Sequence, residues 1–198
     1  LGNLTLLFFS RVTMINHRLL SSLAFLIILS SCSVTQVATT SFGDGFDFSG
    51  VKSYSTYGRN STFGDLQNIN GAIRNNIELT IEQGLDERGL RYQHVESADI
   101  VIAYHLLNNK VGEFKRYNQQ VKYCGYCLNA DKNSRSELEK KFNPGSLVID
   151  IIDPKRQRSV WRSVYPLNFK AQDNSQEIHD KINRAIKTML LDYPSGKI

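Results

Sequence analysis

Two amphipathic helical segments constrain the fold of this 198-residue chain more than any other feature. The segments 66–87 and 175–191 each repeat large apolar residues at three- and four-residue spacing, which gives each helix a single apolar stripe. Such a stripe must be buried against another element, and a sheet offers a suitable surface. Gly89 and Pro194 stand where the two helices are expected to end.

Strand-like segments around these helices supply the sheet. The run ADIVIAYHLL, 98–107, is nearly continuously apolar and predicts a central strand. The segment 46–58 predicts a first strand because aromatic and polar residues alternate, and 145–167 predicts two strands around a turn at 153–155. From the order β-α-β-variable-β-β-α we predict an α+β two-layer sandwich, with a mainly antiparallel sheet and both helices packed on one face.

A short apolar run near the N-terminus predicts a signal peptide rather than a membrane span. From Met14 the chain has a short basic stretch, an apolar run over 19–29 and then small residues. The run is about half as long as the ~20 residues that a transmembrane helix needs. It ends in LSSC, which resembles the lipobox of bacterial lipoproteins. We therefore predict a signal peptide over 1–31, cleavage between Ser31 and Cys32, and lipidation of the Cys32 thiol.

Lipidation of Cys32 would place the protein at a membrane surface. Cleavage frees the amine of this residue for a further acyl chain, and two or more chains give stable anchoring. Ser33 stands where an Asp commonly favours inner-membrane retention in Gram-negative lipoproteins, so the predicted location is the outer membrane, facing the periplasm. The Ser-, Thr- and Gly-rich segment 33–45 predicts a flexible tether of about 20 Å. The segment 46–198 predicts a single domain.

The charge of the chain does not indicate nucleic-acid binding. Two of the 24 basic residues, Arg11 and Arg18, precede Cys32, whereas none of the 19 acidic residues does. The net charge after Cys32 is therefore +3, against +5 for the whole chain. This excess is too small to indicate a nucleic-acid partner.

Several short motifs occur in an order that resembles a known family. They are Asp47-Phe48-Ser49-Gly50 with Lys52 and Tyr54, Ala98-Asp99-Ile100-Val101 with Tyr104, Gly145-Ser146-Leu147-Val148-Ile149-Asp150 with Asp153, Val160-Trp161-Arg162, and Tyr193-Pro194. With the lipobox, this set over about 46–195 resembles the uncharacterised bacterial lipoproteins catalogued as domain of unknown function 4136. Tyr57 and Ser163 depart from the Trp and Gly that are frequent there. The resemblance implies a fold and an envelope location, but no activity or catalytic residue.

Cys124 and Cys127 form a Cys-x-x-Cys arrangement that three interpretations fit. One is a local disulfide that stiffens a loop. Another is thiol–disulfide exchange, with Cys124 as the attacking thiol and Cys127 as the resolving one, although that chemistry prefers the start of a helix. Zinc would need four ligands, and His94, His105 and His179 have no paired spacing, so we predict no metal site.

Other signals of catalysis are missing from the sequence. It contains no Gly-x-Ser-x-Gly elbow, no His-Glu-x-x-His motif and no Gly-rich phosphate loop. Asp150 and Asp153 are interpreted as strand-end and turn residues, and Trp161 and His105 as residues of the sheet. We therefore predict a non-enzymatic protein without a cofactor.

The segment 110–143 is the most unusual part of the chain, because several aromatic residues lie there among many basic ones. One interpretation is a partner interface, since interfaces are enriched in Tyr and Arg. The predicted interface residues are Phe114, Arg116, Tyr117, Tyr123 and Tyr126. The other interpretation is a strand or hairpin that extends the sheet. As an interface, the segment should be removable without unfolding the core.

The leading hypothesis is a non-enzymatic, lipid-anchored module that binds a partner or assists assembly in the bacterial envelope. Its partners are expected to be the membrane, through Cys32, and an envelope protein, glycan or lipid. The alternative is a thiol–disulfide exchange protein that uses Cys124 and Cys127.

Overall fold

The structure, a computed structural model, describes residues 36–43, 45–57, 69–108, 111–125, 127–128 and 143–194. This part of the chain has an α+β fold, as predicted, with three helices and a six-stranded sheet. The strands are β1 (Thr39–Phe42), β2 (Ser53–Thr56), β3 (Arg91–Tyr92), β4 (Ile100–Leu106), β5 (Ser146–Asp153) and β6 (Arg158–Pro166), and the helices are α1 (Gly71–Asp86), α2 (Val111–Gln120) and α3 (Ser175–Leu191). Within the described ranges, no helix has the length and apolarity to cross a membrane.

The sheet is mixed, with the strand order β1-β6-β5-β4-β2-β3. The pairs β1–β6, β6–β5 and β5–β4 are antiparallel, which agrees with the prediction for this half of the sheet. The pairs β4–β2 and β2–β3 are parallel. Parallel neighbours need a crossover connection, and α1 provides it between β2 and β3. The prediction of a mainly antiparallel sheet therefore missed the two parallel pairings.

Helices α1 and α3 pack together on one face of the sheet, as the apolar stripes predicted. Ile81 of α1 and Ile186 of α3 are buried in one core with Trp161 of β6. A Cβ on Gly84 would lie 2.6 Å from Leu190 Cδ1, so the missing side chain lets the two helices approach closely. The predicted bounds of α3 are confirmed.

Helix α1 begins at Gly71, later than the predicted start at residue 66. Asn70 has a non-helical backbone, and its side chain accepts a hydrogen bond from the Ala72 N–H, so it caps the helix. The predicted residues 66–68 lie outside the described ranges. Gly89 has φ +80°, which agrees with its predicted place after the helix.

Helix α2 packs on the opposite face of the sheet and corrects the two-layer prediction. Tyr117 and Val121 of α2 form a second buried core with Val101, Val148 and Val164 of the sheet. Both faces of β4 and β5 are therefore covered, which explains their nearly continuous apolar sequences. In its described part, the segment 110–143 is thus neither a strand nor a hairpin.

Two predictions about the N-terminal part of the domain were wrong. The proposed tether 33–45 contains β1, because Thr39–Phe42 pairs with the exposed edge of β6. The segment 46–52, predicted as part of a strand, forms turns, and β2 begins only at Ser53. The aromatic alternation there has another cause, since Phe46 packs edge-to-face on Phe48, which is buried between the sheet and the helices.

The strand register defines two ends of the sheet. Ser146, at the start of β5, lies opposite Pro166 at the end of β6, and the first residue of β1, Thr39, lies opposite Val164. We call this the proximal end. The turn between β5 and β6 and the segments that precede β2 and β4 lie at the other end, which we call the distal end.

Candidate functional site

A cleft of about 620 Å³ lies at the distal end of the sheet. It is formed by three loops, which contribute residues from 45–51, 96–99 and 153–156. The loops precede β2, precede β4 and join β5 to β6, so the strand register brings them together although they are distant in sequence. The volume is typical of sites that bind small molecules or single side chains of a partner.

Two aspartates of the cleft fix the loops that carry them. Asp47 Oδ1 accepts hydrogen bonds from the backbone N–H and the hydroxyl of Ser49, at 2.9 and 2.6 Å. Asp99 Oδ2 accepts hydrogen bonds from the backbone N–H groups of Lys52 and Ser53, at 3.0 and 2.9 Å, and so ties the start of β4 to the start of β2. The hydrogen bond from Lys52 is the main cause of the lowered pKa of Asp99. The carboxylate is therefore stabilised in its charged form.

The third aspartate, Asp153, organises the turn between β5 and β6. Its Oδ1 accepts a hydrogen bond from the Lys155 N–H at 2.8 Å. Arg156, in the same turn, reaches across and donates to the Gly45 carbonyl at 2.8 Å. The loops on both sides of the cleft are therefore joined by a direct contact, and the rim is held in place.

The exposed groups of the cleft are polar and carry both signs of charge. Glu96 and Asp47 are exposed carboxylates, Lys155 is an exposed cation, and Phe46 adds a half-buried aromatic ring. Such a surface can bind a polar partner through hydrogen bonds and one apolar contact. No group of three or more His, Cys, Asp or Glu residues within the described ranges is arranged to hold a metal ion.

A second polar cluster lies buried between the sheet and α2. Arg162 Nε donates to both carboxylate oxygens of Asp150, at 2.9 and 3.1 Å, and Nη2 donates to Oδ2 at 2.9 Å. The same carboxylate accepts hydrogen bonds from Ser159 Oγ at 2.6 Å and Tyr117 Oη at 2.7 Å. Arg162 and Asp150 are both fully buried, so each charge depends on the other.

A β-bulge explains how Ser159 and Arg162 come to lie on the same face of the sheet. The register between β5 and β6 shifts after Ile151, so Ser159 lies opposite Ile152 while Arg162 lies opposite Asp150. The extra residue re-aims one side chain, as bulges commonly do. The Ser159 N–H then donates to the Val121 carbonyl at 2.7 Å and fixes the end of α2 to the sheet.

Aromatic rings from α2 and the following turn enclose this ion pair. The Tyr123 ring lies 3.6 Å from the Arg162 guanidinium carbon, and the Phe114 and Tyr117 rings each lie 5.8 Å from it. Contacts at these distances are cation–π interactions. Burial, together with the charge of Asp150, raises the pKa of Tyr117 well above its ordinary value, so its hydroxyl remains a donor.

The buried cluster is not arranged as a hydrolytic triad. Ser159 donates to Asp150, and the two ring nitrogens of His105 have no hydrogen-bond partner among the described residues. A triad needs a hydrogen bond between the nucleophile and the histidine. The cluster is also closed to solvent by α2, so its evident role is to hold α2 on the sheet.

The comparisons with known proteins assign the fold to a family. The family model for the domain of unknown function DUF4136 matches residues 38–195. The chain belongs to the DUF4136 family. The match confirms the resemblance found in the motifs. Asp47, Asp99 and Asp153, which belong to the motifs that carried this resemblance, line the distal cleft. No curated protein matches the chain.

The chain is similar to several solved structures at low sequence identity. A DUF4136 family protein from Bacteroides thetaiotaomicron is 11% identical with a TM-score of 0.51, and the match covers 82% of this chain and 98% of that one. A PDZ domain protein from Parabacteroides distasonis is 16% identical (TM-score 0.46; 82% of this chain, 36% of that one). PelC from Paraburkholderia phytofirmans, solved as a dodecamer, is 8% identical with a TM-score of 0.38, and the match covers 78% of this chain and 98% of that one. At 11% identity, the Bacteroides structure supports the fold alone.

The cysteine pair of this DUF4136 domain lies in a turn after α2. The sulfur atoms of Cys124 and Cys127 are 2.11 Å apart, which is a disulfide-bond distance. The Cys127 N–H donates to the Cys124 carbonyl at 3.0 Å, and Leu128 is buried behind the turn. Cys124 therefore follows a helix rather than beginning one, so it lacks the N-terminal helix position that lowers a thiol pKa.

The predicted interface residues have different environments in this DUF4136 domain. The interface prediction is wrong for Tyr117, which is fully buried. Phe114 and Tyr123 are half-buried against the ion pair, Arg116 is exposed, and Tyr126 lies outside the described residues. Cys32 and the signal peptide also lie outside them. Sequence reasoning missed the role of Arg162, although an arginine inside a buried strand motif was itself a signal of a paired charge.

Proposed function

We propose that this DUF4136 domain is a non-enzymatic binding module of the bacterial cell envelope, lipid-anchored at Cys32 in the outer membrane and facing the periplasm. The distal cleft is the observation that carries this proposal, because the loops with the family motifs converge there on a fixed, ligand-sized rim. The groups exposed in the cleft suit recognition rather than covalent chemistry. The lipobox supports the location.

The chain path indicates how an anchored domain would present its cleft. Only six residues, 33–38, separate Cys32 from β1, so the start of the first strand lies at most about 25 Å from the anchor. The strand enters the sheet at the proximal end. The nine residues of β6 span about 30 Å from that end to the distal one. In this proposal the proximal end, where the chain from the anchor enters the sheet, lies nearer the bilayer than the cleft at the distal end does.

This orientation favours a protein or glycan partner over the head groups of the anchoring membrane. Glu96, Asp47 and Asp99 present carboxylates, and Lys155 presents an amine, at the end of the sheet opposite the one where β1 begins. Phe46 adds an apolar surface on which a sugar ring or a side chain can pack. The partner is therefore polar and lies on the periplasmic side of the domain.

Thiol–disulfide exchange is the second candidate, and one observation favours it. Cys127 is exposed and lines a small cavity of about 130 Å³ together with Arg156 and Arg158. Neighbouring cations stabilise a thiolate. In this candidate Cys127, rather than the half-buried Cys124, is the more accessible residue for exchange, which reverses the roles that the sequence predicted.

Site-specific photo-crosslinking in intact cells tests the binding proposal. A photo-reactive amino acid at Glu96, whose side chain is 72% exposed at the cleft, is expected to give a partner adduct that survives reduction. The matched control is the same amino acid at Leu79, which is 65% exposed on α1 and away from the cleft, and which should give no such adduct. Equal adducts at both positions would contradict the cleft assignment. Adducts that vanish on reduction and require Cys127 would favour thiol exchange.

A further inference from the structure

His105 lies on β4, between the sheet and α2, in an unusual environment. The ring is 1% exposed on β4, and it stacks on Tyr117 at 4.8 Å and on Phe114 at 5.9 Å between ring centroids. Both ring nitrogens lack a hydrogen-bond partner within the described residues. The neutral ring therefore fits this site as an aromatic group, and a protonated ring would have two buried N–H donors without acceptors.

Charged and titratable groups face His105 from each element that surrounds it. Arg162 of β6 and Asp150 of β5 form the buried ion pair, and Glu113 and Tyr117 lie on α2. Burial lowers the pKa of His105 to about 4, Arg162 acts in the same direction, and Glu113 and Asp150 oppose them. The Asp150 carboxylate already accepts hydrogen bonds from three other side chains, so these donors, and not His105, occupy it.

The two apolar cores lie on opposite faces of the sheet, which makes a local opening feasible. Trp161, Ile81 and Ile186 belong to the core under α1 and α3, whereas Tyr117 and Val121 belong to the core under α2. Separation of α2 from the sheet would hydrate His105 without disturbing the first core. Local opening of this kind is common where one element rests on a few contacts.

We propose that His105 is an acid-sensitive latch, whose protonation releases α2 and its cysteine turn from the sheet and exposes the aromatic face that carries Phe114, Tyr117 and Tyr123. The released segment is the one that covers the Asp150–Arg162 pair. The observations behind the latch are the contacts under α2, so the inference does not rest on the proposed binding function.

The sign of the pH effect follows from proton binding. The released state, with a hydrated His105, has the ordinary pKa near 6.5, so it binds the proton more tightly than the closed state does. Stabilisation of the closed state is complete above pH 6.5 and is lost as the pH falls towards 4. Across this window the released population is expected to increase by roughly two orders of magnitude.

Hydrogen exchange of the full chain between pH 7 and pH 4, corrected for the intrinsic pH dependence, tests the latch. Amides of 111–125 should lose protection about 100-fold relative to those of α1 and α3, while the emission of Trp161, the single tryptophan, stays constant. His105→Phe keeps the ring stack and cannot titrate, so it should abolish the effect, and His94 and His179 remain as internal controls. If His105→Phe does not fold, the same measurement is made on His105→Gln.

Two outcomes would overturn the latch. In one, 111–125 loses protection equally in the wild type and in either His105 variant. In the other, all helices lose protection together, which is global acid unfolding. A loss of protection that is confined to 111–125 and that depends on His105 supports the latch.

Discussion

Replacing Arg162 with methionine is expected to lower the free energy of unfolding by about 3–5 kcal/mol. The substitution removes the buried partner of Asp150 and leaves a carboxylate that is fully buried. Ser159 and Tyr117 would still donate to it, but hydrogen bonds do not replace the lost positive charge. Urea unfolding followed by the fluorescence of Trp161, which lies on the other face of the sheet, measures the change.

Two further variants isolate the cause of that loss. Arg116→Met changes an exposed arginine on α2 and is expected to change the stability by less than about 0.5 kcal/mol. The double variant Asp150→Leu with Arg162→Met removes both charges and should recover most of the stability. A cost below about 1 kcal/mol for Arg162→Met would show that the pair is not a structural requirement.

Replacing residues 109–142 with a two-residue Asn-Gly turn is expected to cost on the order of 5 kcal/mol, while the core under α1 and α3 still folds. The ends of the segment can be joined, because the Gly145 N–H donates to the Leu107 carbonyl at 2.8 Å. However, the deletion removes Tyr117, Val121 and Leu128, all buried. Each buried side chain of this size contributes about 1.5–3 kcal/mol.

Circular dichroism and urea unfolding of the deletion variant measure this effect. Tyr117→Ala is expected to reproduce much of it, at about 3–5 kcal/mol, whereas Lys115→Ala on the exposed face of α2 should be nearly neutral. A deletion variant as stable as the full chain would restore the sequence-based expectation that 110–143 is a separable interface.

The sequence predicted those elements whose pattern is strong and local. Helix α3 was predicted at its observed bounds because its apolar stripe is regular, and the structure adds a capping box of Asn174 and Glu177 at its start. Strands β4, β5 and β6 were predicted because each is long and the last two are joined by a short turn. Their pairing is antiparallel for the same reason.

The missed features depend on contacts between distant residues. Strand β1 has only four residues, TTSF, and forms because β6 offers an unpaired edge. Helix α2 has several polar residues and one deeply buried tyrosine, so its sequence resembles a surface segment until Asp150 and Arg162 are placed beneath it. The cleft was missed because Asp47, Asp99 and Asp153 meet only through the sheet register.

Energy transfer to the bilayer tests the central claim most directly, since the claim combines an anchor at Cys32 with a cleft that faces away from the membrane. The acylated protein would be placed in vesicles with acceptor-labelled lipids, with a donor dye at Ala171 near the proximal end or at Glu96 in the cleft. We predict strong transfer from Ala171 and much weaker transfer from Glu96, because about 30 Å separates the two ends of the sheet. Both signals should disappear in Cys32→Ala. Equal transfer from the two positions, or transfer that survives Cys32→Ala, would contradict the account.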